Sequence, residues 1–194
     1  MKKIYSIMAT VALLASLQAC HSNKTGSGSD STASPTDSAK GTIVKTDSSA
    51  TTLSDTAFAK KAAVGGMAEV ALGKMAEAKS SDSQIKDFGR MMVTDHGKAN
   101  SELASIAKTK NITLPESLDA EHQAKSDSLS KLSGKDFDVA YVNAMIEGHK
   151  KTLALMQAEA TNGKDADLKA FAAKTAPVVQ SHLDAIQKIH DGMK

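Results

Sequence analysis

Three histidines recur at equivalent places in three separate apolar stripes. His96 stands four residues after Met92 and three before Ala99, His149 four after Met145 and four before Leu153, and His182 four after Val178 and four before Ile186. At helical period each spacing sets the ring on the face of its apolar neighbours, so three titratable rings point into a core. A fourth polar residue, Glu69, is the charged member of a stripe through Phe58, Ala62, Gly65, Leu72 and Ala76. A carboxylate at a buried position is costly unless it is paired, hydrogen-bonded or bound to a metal. Three neutral imidazoles with a carboxylate or water suit a transition metal ion such as zinc, copper, iron or nickel. The same residues can instead act as buried pins that fix helix register, hydrogen-bonded to Glu69, Asp95, Asn100 or Tyr141. An enzyme using His96 with Asp95 or Glu69 as acid and base is a further reading. No nucleophile, glycine-rich phosphate loop or paired-carboxylate motif accompanies the histidines to support it.

The elements that must position these side chains are helices. Trp is absent, aromatics make up 3% of residues, and runs of Val, Ile and Thr of the kind that form strands are missing. A first helix starts near Ser54-Asp55, where either residue can cap it, and Gly65, Gly66 and Gly73 let a neighbouring backbone approach closely around Glu69. A second runs from the Ser80–Ser83 turn to about Lys110 and carries His96, with Asp95 and Glu102 on its flanks. Asn111 to Gly134 is a connector in which Pro115 is placed to start a short polar helix over Ser117 to Leu132, with His122 exposed. A third long helix covers Lys135 to Ala160, with Glu147 facing away from His149. The last covers Asp165 to about Gly192, with a kink expected at Pro177 and His190 suited to the helix C-terminus. Four long helices, paired by short turns within each half and joined by one long connection, predict an all-α four-helix bundle with a short helical crossover between helices two and three. Glu69, His96, His149 and His182 each lie near the middle of their helix, so the four can share one layer whichever way the connection runs.

Ahead of the bundle the chain changes character. Lys2 and Lys3, an apolar run from Ile7 to Leu17 and the close at Leu17-Gln18-Ala19-Cys20 give the order of an export signal, and the last four residues resemble the lipobox of bacterial lipoproteins. Lipidation of Cys20 would anchor the chain to a membrane, each buried methylene adding about 0.8 kcal/mol. Cys20 is the sole cysteine, so thiolate metal sites and disulfides are excluded from the bundle. Residues 21–54 are Ser-, Thr-, Gly- and Asp-rich and read as a disordered tether in which His21 has no site role. The domains are therefore residues 1–20, signal and lipobox; 21–54, tether; and 55–192, bundle. The net charge of +2 from 24 basic and 22 acidic residues spread along the chain leaves no basic stripe for nucleic acid. An envelope protein partner, met through surfaces such as Met91-Met92 or Met145 to Met156, is the interaction-module alternative.

The segment Met91-Met92-Val93-Thr94-Asp95-His96 with Ala99, Asn100 and Leu103, then Phe137-Asp138 with Tyr141 and His149, then Pro177 with His182, resembles the bacterial domain-of-unknown-function family 4142. The resemblance spans roughly Ser54 to His190. It implies a ferritin-like fold and an envelope location, such as an outer-membrane-anchored lipoprotein facing the periplasm or the surface, and carries no settled activity. Both Glu-x-x-His motifs of di-iron ferritins are missing: Val93, Ile146 and Val179 stand three residues before the histidines.

Overall fold

Ser54, Asp82, Asp119 and Asp165 each end an extended stretch and turn their side-chain oxygen onto the backbone N–H groups of the helix that follows. In the computed structural model, which describes residues 53–193, they open α1 (Asp55–Lys79), α2 (Ser83–Thr109), α3 (Ala120–Ser130) and α5 (Ala166–Gly192); α4 (Gly134–Asn162) follows Ser133. The export signal, Cys20 and the tether up to residue 52 lie outside the described residues. The long helices agree with those read from the sequence to within a residue or two. The short one differs: α3 begins at Asp119, whose Oδ1 accepts from the His122 N–H at 2.9 Å, and Pro115 lies in the connection before it. An Asp side chain that satisfies a free N–H outcompetes a proline four residues upstream as the start signal. Helix α5 continues through Pro177 as one element.

Contacts at the helix ends fix the directions. Asp55, at the start of α1, accepts from the N–H groups of Lys164 (3.0 Å) and Asp165 (2.8 Å), just past the end of α4, so α1 and α4 are antiparallel. Lys110, past the end of α2, pairs with Asp165 and Asp167 at 2.7 Å each, and Glu102 with Lys174, so α2 and α5 are antiparallel too. The connection through α3 must therefore travel back along the bundle between α2 and α4. It lies over α1 and α4, tied by Lys125 to Glu147 and by Lys151 to Glu121. Glu147 is thus turned away from His149, as its two-residue spacing predicts.

Two apolar clusters fill the bundle. One gathers Leu72, Ile85, Phe88, Met92, Phe137, Tyr141, Met145 and Ile186; the other gathers Phe58, Ala62, Leu103, Met156, Leu168 and Phe171. In each long helix the histidine or Glu69 falls between the members of the two, so the polar layer separates them. The sequence reading placed both Val178 and Val179 on the inward stripe; Val179 is buried, but Val178 is 42% exposed. Adjacent helical residues point about 100° apart, and Val179, His182 and Ile186 at three- and four-residue steps define the inward face.

Candidate metal centre

The site is made by four helices, each giving one side chain at the same level. His96 (α2), His149 (α4) and His182 (α5) are buried, and Glu69 (α1) is 4% exposed, so its carboxylate belongs to the interior and not to the rim. Ring centroids are 5.6 Å apart for His96 and His149, 5.2 Å for His96 and His182, and 5.6 Å for His149 and His182. Phe88 closes one side, with its ring 5.9 Å from His149 and 6.5 Å from His182.

Each imidazole has one nitrogen beside an acceptor. His96 Nδ1 lies 2.9 Å from Glu69 Oε2, His149 Nδ1 donates to the Met145 carbonyl at 2.9 Å, and His182 Nε2 donates to Asp95 Oδ2 at 3.2 Å. These partners only accept, which assigns the proton to the held nitrogen and leaves the lone pair on the other. That other nitrogen, Nε2 in His96 and His149 and Nδ1 in His182, is buried and has no hydrogen-bond partner among the described residues. One nitrogen from each ring lies within 4.8 Å of one from each of the others. A metal ion bonded to imidazole at about 2.0–2.1 Å brings its ligand nitrogens to roughly 3.4 Å from one another, so small side-chain rotations close the set. Among the described residues this is the group of His, Cys, Asp or Glu with such spacing.

Of the partners named from the sequence, Glu69 and Asp95 touch the rings, but in a different arrangement. Glu69 takes His96, with its other oxygen accepting from the Thr152 hydroxyl at 3.2 Å, while Asp95 reaches across to His182 and not to its own neighbour. Asn100 is turned against Gly66, where its Oδ1 fills the space a Cβ would need. Tyr141 stacks on Phe137 and its hydroxyl has no partner among the described residues. Glu102 is engaged with Lys174 at the surface, His122 with Asp119, and His190 sits near Asp191 at the C-terminal end. The Met145 carbonyl and Thr152 were not anticipated; a backbone acceptor leaves no residue-type signal.

The electrostatics divide the three rings. Burial works to raise the Glu69 carboxyl, but His96, His149 and the Thr152 hydroxyl outweigh it and hold Glu69 below the usual carboxylate range. Burial likewise opposes charge on His96, and Glu69, with Asp95, reverses this and raises it. His149 is lowered, chiefly by burial, and His182 is pushed down to about 4 by burial with His96 and His149 nearby. Below pH 6.5 the unfolded chain takes up protons that the folded His149 and His182 refuse. Their contribution is present above that pH and is lost as pH falls towards 4. His96 works oppositely, its contribution being full below 6.5 and fading as pH rises through its folded value. Over the same window Glu159, pushed up to about 7 by burial with Asp55 nearby, works the other way, so the test is the difference between proteins: between pH 6.5 and 4 the metal-free midpoint of His182→Gln is expected to be less acid-sensitive than that of the wild type. The same pH slope in both proteins would contradict the burial of neutral His182.

A cavity of about 550 Å³ adjoins the site between α1, α4 and the crossover. Glu69, Met145, Gly148 and Thr152 line its inner part, and Lys60, Lys61, Lys125 and Lys151 stand around it.

A family model described as Domain of unknown function (DUF4142) matches residues 42–189. No curated protein matches the chain. Among solved structures, CopM in its Cu(II)-bound form aligns with a TM-score of 0.63 at 14% identity, covering 73% of this chain and 99% of that one. CopM in an Ag-bound form, from co-crystallization, aligns with a TM-score of 0.60 at 14% identity, covering 72% and 97%. A DUF305 protein from Streptomyces coelicolor aligns with a TM-score of 0.61 at 14% identity, covering 72% and 94%. At these identities the likeness is one of fold, a helical bundle.

Proposed function

The chain belongs to the domain-of-unknown-function family DUF4142, and from that premise we propose that it is a cell-envelope protein whose bundle holds one transition metal ion, copper first, on His96, His149 and His182. The observation that carries this reading is the set of three buried ring nitrogens without partners, each opposite a nitrogen already held. Were the rings only pins, three unsatisfied polar atoms would be left inside the core, each costing about 1–3 kcal/mol. A metal ion satisfies all three together. Glu69, the Met145 carbonyl and Asp95 then act as the outer acceptors that orient ligand histidines and raise their basicity. Glu69 keeps its place in the site beside His96, with a carboxylate oxygen as a fourth donor.

Copper is supported by the ligand chemistry and by the neighbours. Nitrogen donors bind Cu²⁺ more tightly than the other divalent first-row ions, and imidazole also suits zinc and iron. CopM shares the bundle and is described in Cu(II)-, Cu(I)- and Ag-bound forms. Protein purified without chelator and loaded with Cu²⁺ is expected to carry one ion per chain by elemental analysis. His96→Ala, His149→Ala and His182→Ala are each expected to lose it, and a double variant to lose little more than a single one, because one site is being dismantled. Metal content unchanged in all three variants would sink the assignment.

The envelope location rests on the order of charge, apolar run and Leu17-Gln18-Ala19-Cys20 at the start of the chain. With lipid on Cys20, the Ser- and Thr-rich segment would hold the metal-binding bundle away from the membrane surface. Cys20→Ser is expected to move the processed protein from the membrane fraction to the soluble one, and a processed variant that stays with the membrane would reject lipid anchoring.

A further inference from the structure

A metal ion has to reach a triangle of rings that are almost closed to water. The side chains of His96, His149, His182 and Glu69 are between 0% and 5% exposed, and Phe88 is 2% exposed. Asp95, in contact with His182, opens to solvent: its side chain is 36% exposed and its Oδ2 lies 3.2 Å from His182 Nε2. It stands between α2 and α5, and among the described residues the crossover lies over α1 and α4.

The two approaches differ in charge. Around the cavity beside Glu69, Lys125 and Lys151 are engaged by Glu147 and Glu121, but Lys60 and Lys61 have no ion-pair partner among the described residues, and a divalent cation entering it passes these two uncompensated charges. The α2–α5 seam presents the Asp95 carboxylate. Lys98, one turn along α2, is the nearest cation by sequence position on that helix, and Glu102 is already engaged by Lys174.

We infer that the metal ion is loaded through the α2–α5 seam, with Asp95 as the carboxylate that takes it from water and passes it to the histidines. This deepens the metal-site reading and rests on it. Asp95 thereby has two tasks, orienting His182 and lowering the barrier to loading, and the two leave different kinetic traces. A loading role changes the on-rate and the off-rate together, whereas orientation alone changes affinity through the off-rate.

The experiment is stopped-flow mixing of metal-free full-length protein with Cu²⁺, followed by dissociation into excess chelator. For Asp95→Asn the expected result is an on-rate slower by about tenfold, the trace of loading, with any loss of affinity from the weakened hold on His182 appearing in the off-rate. Raising the salt should slow loading of the wild type and hardly affect the variant. Lys61→Glu and Lys125→Glu, which reverse charges around the cavity, should leave the rates unchanged. An unchanged on-rate in Asp95→Asn, or faster loading in the lysine variants, would overturn the seam and leave the metal site standing. A wild type that takes up no copper at all would instead overturn the metal reading, and the seam with it.

Discussion

Glu69→Ala is expected to lower the thermal midpoint of the metal-free protein by roughly 10 °C. Removing one partner of a buried pair leaves the other without compensation, which typically costs about 3–5 kcal/mol. In a domain of this size each kcal/mol moves the midpoint by about 2–4 °C. Here the partner left behind is His96, whose raised pKa depends first on Glu69, and whose Nδ1 would then face the space the carboxylate occupied. Thr152 loses its acceptor as well. Glu69→Gln separates charge from geometry. Its amide oxygen can still accept from His96 Nδ1, so much of the stability should return, while the ring becomes a poorer donor to metal. Loss of such an outer partner typically reduces metal affinity by about 10–100-fold. Calorimetric midpoints of the three proteins, with and without copper, check both halves. A Glu69→Ala midpoint within a degree or two of the wild type would mean that the carboxylate beside His96 is not what holds this layer.

The level and the members of that layer were readable before any coordinates, because stripes at helical period report which residues point inward. All three inward histidines obey this rule, and Glu69, the charged member of its stripe, is buried with them. What the stripes could not report is who meets whom across helices. His182 and Asp95 are 87 positions apart, and their contact follows from the antiparallel setting of α2 and α5, which no spacing encodes. For the same reason the sequence suggested Asp95 as a partner for its own neighbour, His96. The direction of the crossover was equally hidden, since residues at mid-helix stay level when a helix is reversed; the end contacts of Asp55 and Lys110 decide it. Val178 shows the opposite failure. A β-branched apolar residue beside another carries no mark of which one faces in.

Gly73→Ala is expected to destabilise the protein by about 1–3 kcal/mol, although the same change elsewhere in these helices should stabilise it. A helix-interior glycine replaced by alanine normally gains about 0.5–1 kcal/mol, because the unfolded chain loses freedom. Gly97 and Gly148 meet this condition, since a Cβ there would have nothing within 4 Å. At Gly73 a Cβ would stand 2.7 Å from the Gly89 carbonyl oxygen and 3.0 Å from Met92 Cβ; at Gly89 one would stand 2.7 Å from the Gly73 carbonyl oxygen. The obstacle is backbone on both sides, so no rotamer change relieves it, and α1 and α2 must move apart. Met92 is one turn from His96, and Glu69 one turn from Gly73, so separation at this crossing also draws the carboxylate from the ring it holds. Urea unfolding should therefore place Gly97→Ala and Gly148→Ala above the wild type and Gly73→Ala and Gly89→Ala below it, with weakened copper binding confined to the latter pair. If Gly73→Ala gained stability as Gly97→Ala does, α1 and α2 would not be packed backbone to backbone, and the reach from Glu69 to His96 would lose its support.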